Sequence, residues 1–219
     1  MGHFGTREVE VAHQESPRKP REREIDVADK VRCMRRAREL AAQYTTKYWG
    51  CAQSSFSATL DALREEGVEL VSKEEQDEIF KGLIGLSGGT GNLGGGTCGA
   101  LAGTAFAISL ASGVGRKEQL EDKMNRWIAF DNVAETIGKQ FMHEYGGLRC
   151  RDVTWNRWGK WWDSWNPVAK AEFAKEERAR GCLCKDRCTI ALAAGWAVGY
   201  ILDILDDPRT LEQMKELHG

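Results

Sequence analysis

The sequence predicts an all-α protein, a compact helical bundle with no sheet in which a Gly-rich loop carries a cysteine. Three observations predict it. Apolar residues recur at spacings of three and four along most of the chain. Helix-capping and helix-breaking residues bound those runs. No segment alternates apolar and polar residues as a half-buried strand does.

The totals fit one core. The chain has 219 residues, 42% of them hydrophobic, so residues 25–219 are expected to form a single helical domain behind a flexible arm at 1–24. That arm is polar, with Pro17, Pro20 and alternating charges at 18–24. A net charge of −2 gives no electrostatic case for nucleic acid as a partner. The opening MGHFGTREVE lacks the basic start and apolar run of a secretory signal, so the expected compartment is the cytoplasm. Seven cysteines there, an odd number, point away from a complete set of disulfides and toward metal or redox use. Only four histidines are present, two of them (His3, His13) in the arm, so a soft-ligand metal site would be mostly thiolate.

Asp26 can cap a first helix that runs to Tyr48 with the stripe Val27, Val31, Met34, Ala37, Ala41, Tyr44 and Tyr48. Cys33 beside it reads as a small buried residue. Gly50 breaks the pattern, and Cys51 opens a second helix at 52–66 with Phe56, Leu60 and Leu63 inward and Gly67 at its end. Ser72 and Glu75 form a capping box for a third, 73–86. The glycine-dense stretch GGTGNLGGGTCGALAG at 88–103 leads into a helix from Cys98 to Ser112. Gly99, Gly103, Ala107 and Ala111 leave one of its faces nearly bare, and the helix is too short and too rich in Gly and Ser to span a membrane. Residues 118–145 read as one long amphipathic helix with the stripe Leu120, Met124, Trp127, Ala134, Ile137, Phe141 and Tyr145, ended by Gly146 and Gly147, with Cys150 just after it between Arg149 and Arg151.

Residues 154–181 form a Trp-rich insertion. Trp155, Trp158, Trp162 and Trp165, spaced three, four and three, are expected on one helix face, packed on this subunit or a symmetry mate, or else docking a membrane surface or partner protein. A charged helix at 168–180 leads to CLCKDRC at 182–188. Cys188 opens the last large helix, whose Ala191, Gly195 and Gly199 form a small face that should mate with that of the Cys98 helix. A short helix with Leu211, Met214 and Leu217 closes the chain.

What recurs is a cysteine at or beside a helix end: Cys51, Cys98, Cys150 and Cys188. A thiol at a helix N-terminus meets unpaired N–H groups and a positive macrodipole, so it is suited to be a metal ligand or a redox nucleophile. The match to G-x-G-x-x-G at 89–94 follows a helix rather than a strand, against a dinucleotide site, and no G-K-[ST] follows. No C-x-x-C-H occurs, so covalent c-type haem lacks its signature, and no C-x-x-C marks a thioredoxin-type dithiol. The spacing 182–184–188 is not the usual one for zinc. Four thiols at the edges of packed helices would suit an iron–sulfur cluster. A cysteine-based thiol–disulfide oxidoreductase or reductase, and a structural zinc-binding interaction module, are the other readings.

These residues also carry a resemblance. Cys51-Ala52-Gln53 before a helix, GGGTCGALAG at 94–103, Leu148-Arg149-Cys150-Arg151-Asp152, and Cys188 before an Ala-rich helix together resemble the C-GCAxxG-C-C family of redox-active proteins, over residues 45–203. The resemblance implies a helical domain whose four cysteines, Cys51, Cys98, Cys150 and Cys188, bind an iron–sulfur cluster ([2Fe–2S] or [4Fe–4S]) or act as a redox set. The family is similar to the non-haem part of split-Soret cytochromes, which carry a cluster alongside haems and form dimers. It thus implies a homodimer and a redox partner protein, while haem is not carried over. Cys182 and Cys184 depart from the family pattern and are alternative ligands. Around the four thiols, Gly96 and Gly99 are expected to present backbone to the cluster, and Arg149 and Arg151 to offset its charge.

Overall fold

The computed structural model describes residues 25–180 and 188–219. The arm at 1–24 and the pair Cys182 and Cys184 lie outside the described residues. Within them the chain is helical, as expected, and an isolated antiparallel bridge between Thr97 and Arg149 stands where a strand pair would otherwise be sought.

Helix α1 (Val27–Tyr48) begins where the Asp26 carboxylate accepts the Asp29 N–H at 2.8 Å. Its buried edge is Cys33, Ala37, Leu40 and Ala41. Val27 and Val31 are exposed, so the inner stripe is rotated from the expected one. The reason is steric: the small side chains of that edge admit α2 and α10 closely. Cys33 is buried, as expected, with its thiol donating to the Ala62 carbonyl at 3.3 Å.

Helix α2 (Cys51–Glu65) is the central element. It is buried on every side from Ala52 to Leu60, not only along Phe56, Leu60 and Leu63. Its polar residues are small enough to satisfy themselves on backbone: Ser55 Oγ lies 3.2 Å from the Ala100 carbonyl, and Thr59 Oγ1 donates to Ser55 O at 2.8 Å. Helix α3 (Lys73–Ile84) starts at the expected Ser72–Glu75 capping box.

Helix α4 (Gly99–Ser112) packs on α2 by its glycines. A Cβ on Gly103 would fall 2.1 Å from the Ala52 carbonyl oxygen. The region expected as one helix over 118–145 is broken at its start: α5 (Arg116–Glu121) ends where Asp122 turns extended and caps a 3-10 turn, Lys123–Asn125. The continuous helix is α6 (Arg126–Val133), a π turn (Ala134–Gly138) and α7 (Lys139–Tyr145), burying Ile137, Phe141 and Tyr145. Leu120, expected in the stripe, is exposed.

Helix α8 (Cys150–Trp158) stops where Gly159 turns left-handed (φ 68°) and returns its N–H to Trp155 O at 2.6 Å. The four tryptophans therefore do not share a helix face. Trp158 and Trp162 pack on Phe173 of α9 (Pro167–Arg180), with ring centroids 5.7 and 5.4 Å away. Trp155 and Trp165 are exposed.

Helix α10 (Thr189–Asp206) is long and apolar enough to cross a membrane, and two-thirds of it (67%) is buried inside the bundle. Its Gly195 and Gly199 lie against α1, where added Cβ atoms would meet Arg38 Nε at 2.7 Å and the Met34 sulfur at 3.1 Å. The glycines of α4 and α10 thus face α2 and α1 respectively, while the two helices also pack against each other. Helix α11 (Leu211–His218) caps the end, burying Met214.

The tight α2–α4 contact gives a stability prediction. Gly103→Ala should lower unfolding free energy by about 1–3 kcal/mol in urea titration, because the clash is with backbone. Gly82→Ala, in α3 with nothing within 4 Å of the added Cβ, should instead stabilise by about 0.5–1 kcal/mol.

Candidate functional site

Four helices begin at a cysteine. Cys51 and Cys150 are the first residues of α2 and α8, and Cys98 and Cys188 are the N-caps of α4 and α10. Cys150, expected just past a helix end, opens a helix of its own. Every one of these sulfurs sits at the positive end of a helix.

Backbone pairing joins two of these starts. Cys98 N–H donates to Leu148 O at 2.8 Å, Cys150 N–H to Gly96 O at 3.0 Å, and Arg151 N–H to Gly94 O at 3.0 Å. The glycine loop and the segment at 148–151 thus run antiparallel through the Thr97–Arg149 bridge. Gly89 lies beneath Cys150: its φ is +73°, and a Cβ there would come within 2.7 Å of Cys150 Cβ. Gly99 makes room for the third thiol, since a Cβ there would lie 2.2 Å from Cys51 Sγ.

The loop also clasps the start of α2. Ser87 Oγ accepts the Ala52 N–H at 3.2 Å and donates to Gln53 Oε1 at 2.8 Å. The loop N–H that reaches a sulfur is that of Gly88, 3.4 Å from Cys51 Sγ. Gly96, expected in this role, has its N–H bonded to Gly89 O at 3.1 Å. Gly88 opens the glycine stretch read from the sequence; Ser87 was not singled out, although a serine ahead of a glycine pair is the kind of residue that bonds neighbouring backbone.

Cys51, Cys98 and Cys150 feel one another electrostatically. Burial drives the Cys98 thiol well above its ordinary range, and Cys51 and Cys150 add to it; the N–H groups of Leu101 and Ala100 pull the other way. Burial, then Cys51, pushes Cys150 up to about 11, against Thr154 and Arg151. Burial therefore outweighs the groups that favour a thiolate at both positions. Cys188 is also buried, and its sulfur accepts the Ala191 N–H at 3.4 Å. Cys33, Cys51, Cys98 and Cys150 are free thiols, and among the described residues no three His, Cys, Asp or Glu side chains converge as the ligands of an ion do.

The two arginines differ. Arg149 forms a two-pronged ion pair with Asp152, both contacts at 2.8 Å, and is largely exposed. Its charge is spent on capping α8. Arg151 lies 5.3 Å from the Trp161 ring and favours the Cys150 thiolate. Trp161 covers the loop where a Gly94 Cβ would meet its indole at 2.5 Å, and Trp165 Nε1 donates to Gly91 O at 3.0 Å. The Trp-rich segment is thus folded over the cysteine-bearing loop. A cleft of about 330 Å³ opens beside α8, edged by Tyr145, Arg149, Asp152, Trp155 and Asn156.

Tyr145 was expected only as part of a helix stripe. Its hydroxyl is buried and has no hydrogen-bond partner among the described residues. Burial pushes the phenol up to about 12; Thr189 and Arg157 oppose this, while Glu144 and Cys98 add to it. Thr189, next to Cys188, accepts Arg157 Nη1 at 2.6 Å.

The Gly99–Cys51 contact can be measured as a coupling. Gly99→Ala should destabilise by about 1–3 kcal/mol. In a Cys51→Ala background the same change should cost less, with a coupling of about 0.5–3 kcal/mol by chemical denaturation. Additive effects would show that the two do not touch.

No curated protein and no solved structure matches the chain. The family model described as "Putative redox-active protein (C_GCAxxG_C_C)" matches residues 49–198, a span that opens just ahead of Cys51 and closes within α10, ten residues after Cys188. With the cysteine-led helix starts lying inside that span, the chain belongs to the C_GCAxxG_C_C family of redox-active proteins.

Proposed function

We propose that Cys51, Cys98, Cys150 and Cys188 hold an iron–sulfur cluster and that the protein transfers electrons. The observation that carries this is that the glycine loop ties together the three helix starts bearing Cys51, Cys98 and Cys150, far apart in sequence, close enough for the thiols to interact electrostatically. The donor set fits such a group in its chemistry: soft sulfur ligands, positive helix ends, a donated N–H at Cys51 and little exposure at Cys98 and Cys188. Bound there, the group would accept and release single electrons.

The chain's own residues would do the rest. Gly88 N–H would stabilise charge on the Cys51 sulfur. Arg151 would favour charge on Cys150. Trp161 and Trp165 would keep water off the loop. A redox partner protein would approach at the cleft beside α8, and the protein would work in the cytoplasm as a homodimer. Cys182 and Cys184 are alternatives to Cys188 as the fourth ligand.

A second reading has its own observation. Cys51, Cys98 and Cys150 are thiols without a disulfide, and they interact electrostatically. Two could give up two electrons and two protons to an acceptor disulfide, forming a disulfide of their own.

The deciding measurement is iron, acid-labile sulfide and visible absorption of protein prepared without oxygen. Iron and sulfide with a charge-transfer band support the cluster; a colourless protein with neither rules it out. Cys51→Ser, Cys98→Ser and Cys150→Ser should each lose most of the iron, whereas Cys33→Ser should keep it, because Cys33 bonds Ala62 O within the α1–α2 contact. If thiol–disulfide exchange is the function, titration of the metal-free protein with a dithiol buffer should instead show a reversible two-electron couple.

A further inference from the structure

We infer that Ser87 is a positioning residue: capping α2 from the glycine loop, with its hydroxyl held by Gln53, it keeps the Gly88 N–H on the Cys51 sulfur and so makes the site easier to reduce. This deepens the reading of the four cysteines as a cluster-binding centre and rests on it.

Helix α2 starts without a cap of its own. Its N-cap is Gly50, which has no side chain to take the free N–H groups of the first turn. Gly50 cannot be larger, because the Gln53 amide lies across it and a Cβ there would fall 1.9 Å from Gln53 Nε2. The acceptor comes instead from the loop. Ser87 Oγ takes the Ala52 N–H at 3.2 Å, the bond that an N-cap serine would make within its own helix. The Ser87 proton goes to Gln53 Oε1 at 2.8 Å, on a side chain that is buried. The next peptide is fixed as well. Ser87 O accepts the Asn92 N–H at 3.1 Å, and on the other side of that peptide the Gly88 N–H donates to Cys51 Sγ at 3.4 Å. Gly88 lies close against Asn92, since a Cβ on it would meet Asn92 Oδ1 at 1.8 Å. A main-chain N–H is aimed by whatever holds the residues on either side of it. Ser87 ties this one to the first turn of the helix that Cys51 opens. A hydrogen bond to a ligand sulfur favours the more negative, reduced state and raises the potential.

The test is Ser87→Ala, which removes the hydroxyl and leaves the main chain. In the metal-free, reduced protein, amide exchange at Ala52 and Gly88 is followed by NMR. Both should exchange faster, by up to about tenfold for one lost hydrogen bond. In protein prepared without oxygen, iron and sulfide should equal those of the unchanged chain. The midpoint by spectroelectrochemistry should shift negative, by up to about tenfold in the one-electron equilibrium, or about 59 mV. Unchanged exchange at Gly88, or equal loading with an unchanged midpoint, overturns the inference, because Ser87 then only caps the helix. Should Ser87→Ala load poorly, Gln53→Met keeps the side-chain volume and removes the group that holds the hydroxyl. It should shift the midpoint in the same direction by a smaller amount, and an unchanged midpoint there also overturns the inference. Absence of iron and sulfide from the unchanged chain overturns the cluster reading, and the effect on the potential with it. That outcome is told apart because it is seen before any substitution is made.

Discussion

Three backbone hydrogen bonds between residues 94–98 and 148–151 hold the arrangement together. They are the only strand-like pairing among the described residues, and they set the starts of α4 and α8 side by side. Because they use main-chain groups, they fix the cysteine backbones without drawing on cysteine side chains. The thiols stay free for chemistry while the chain around them is held. The clasp also dictates what can stand opposite. Gly89 and Gly99 are glycine because a sulfur-bearing residue occupies the space a side chain would need.

The same packing sets two electrostatic effects against each other. Helix N-termini favour thiolates, and burial disfavours them. At Cys98 and Cys150 burial prevails, so at neutral pH the bare protein holds protonated thiols there. A cation that binds only thiolates must displace those protons, so its binding strengthens as pH rises. Apolar enclosure therefore keeps the thiols quiet until a partner with enough positive charge arrives.

Much of this was legible in the sequence. Cysteines next to helix boundaries, the glycine run and the Ser72–Glu75 box are local signals with local causes, and they led to the helices they promised. What failed depended on distance. The spacing of Trp155, Trp158, Trp162 and Trp165 suggested one helix, but Gly159 ends α8 after Trp158. Small residues on α4 and α10 revealed close packing without revealing the partner, which is α2 for one and α1 for the other. Arg149 and Arg151 looked equivalent until Asp152 took one of them. The stripe placed the Tyr145 ring in the core correctly, but nothing local signalled that its hydroxyl would be buried as well.

The glycine loop has one more consequence, for how freely its sequence can drift. Gly88, Gly89, Gly91 and Gly94 have positive φ, and so do Thr90 and Asn92 between them. Asparagine tolerates that conformation, but a β-branched threonine does so only when its surroundings hold it there. The turn therefore has almost no position where an arbitrary side chain is accepted, either for want of space or for want of a comfortable backbone. Exposed loops ordinarily change fastest in a protein. This one should instead be as restricted as a core helix, and for a reason of backbone geometry rather than of apolar burial.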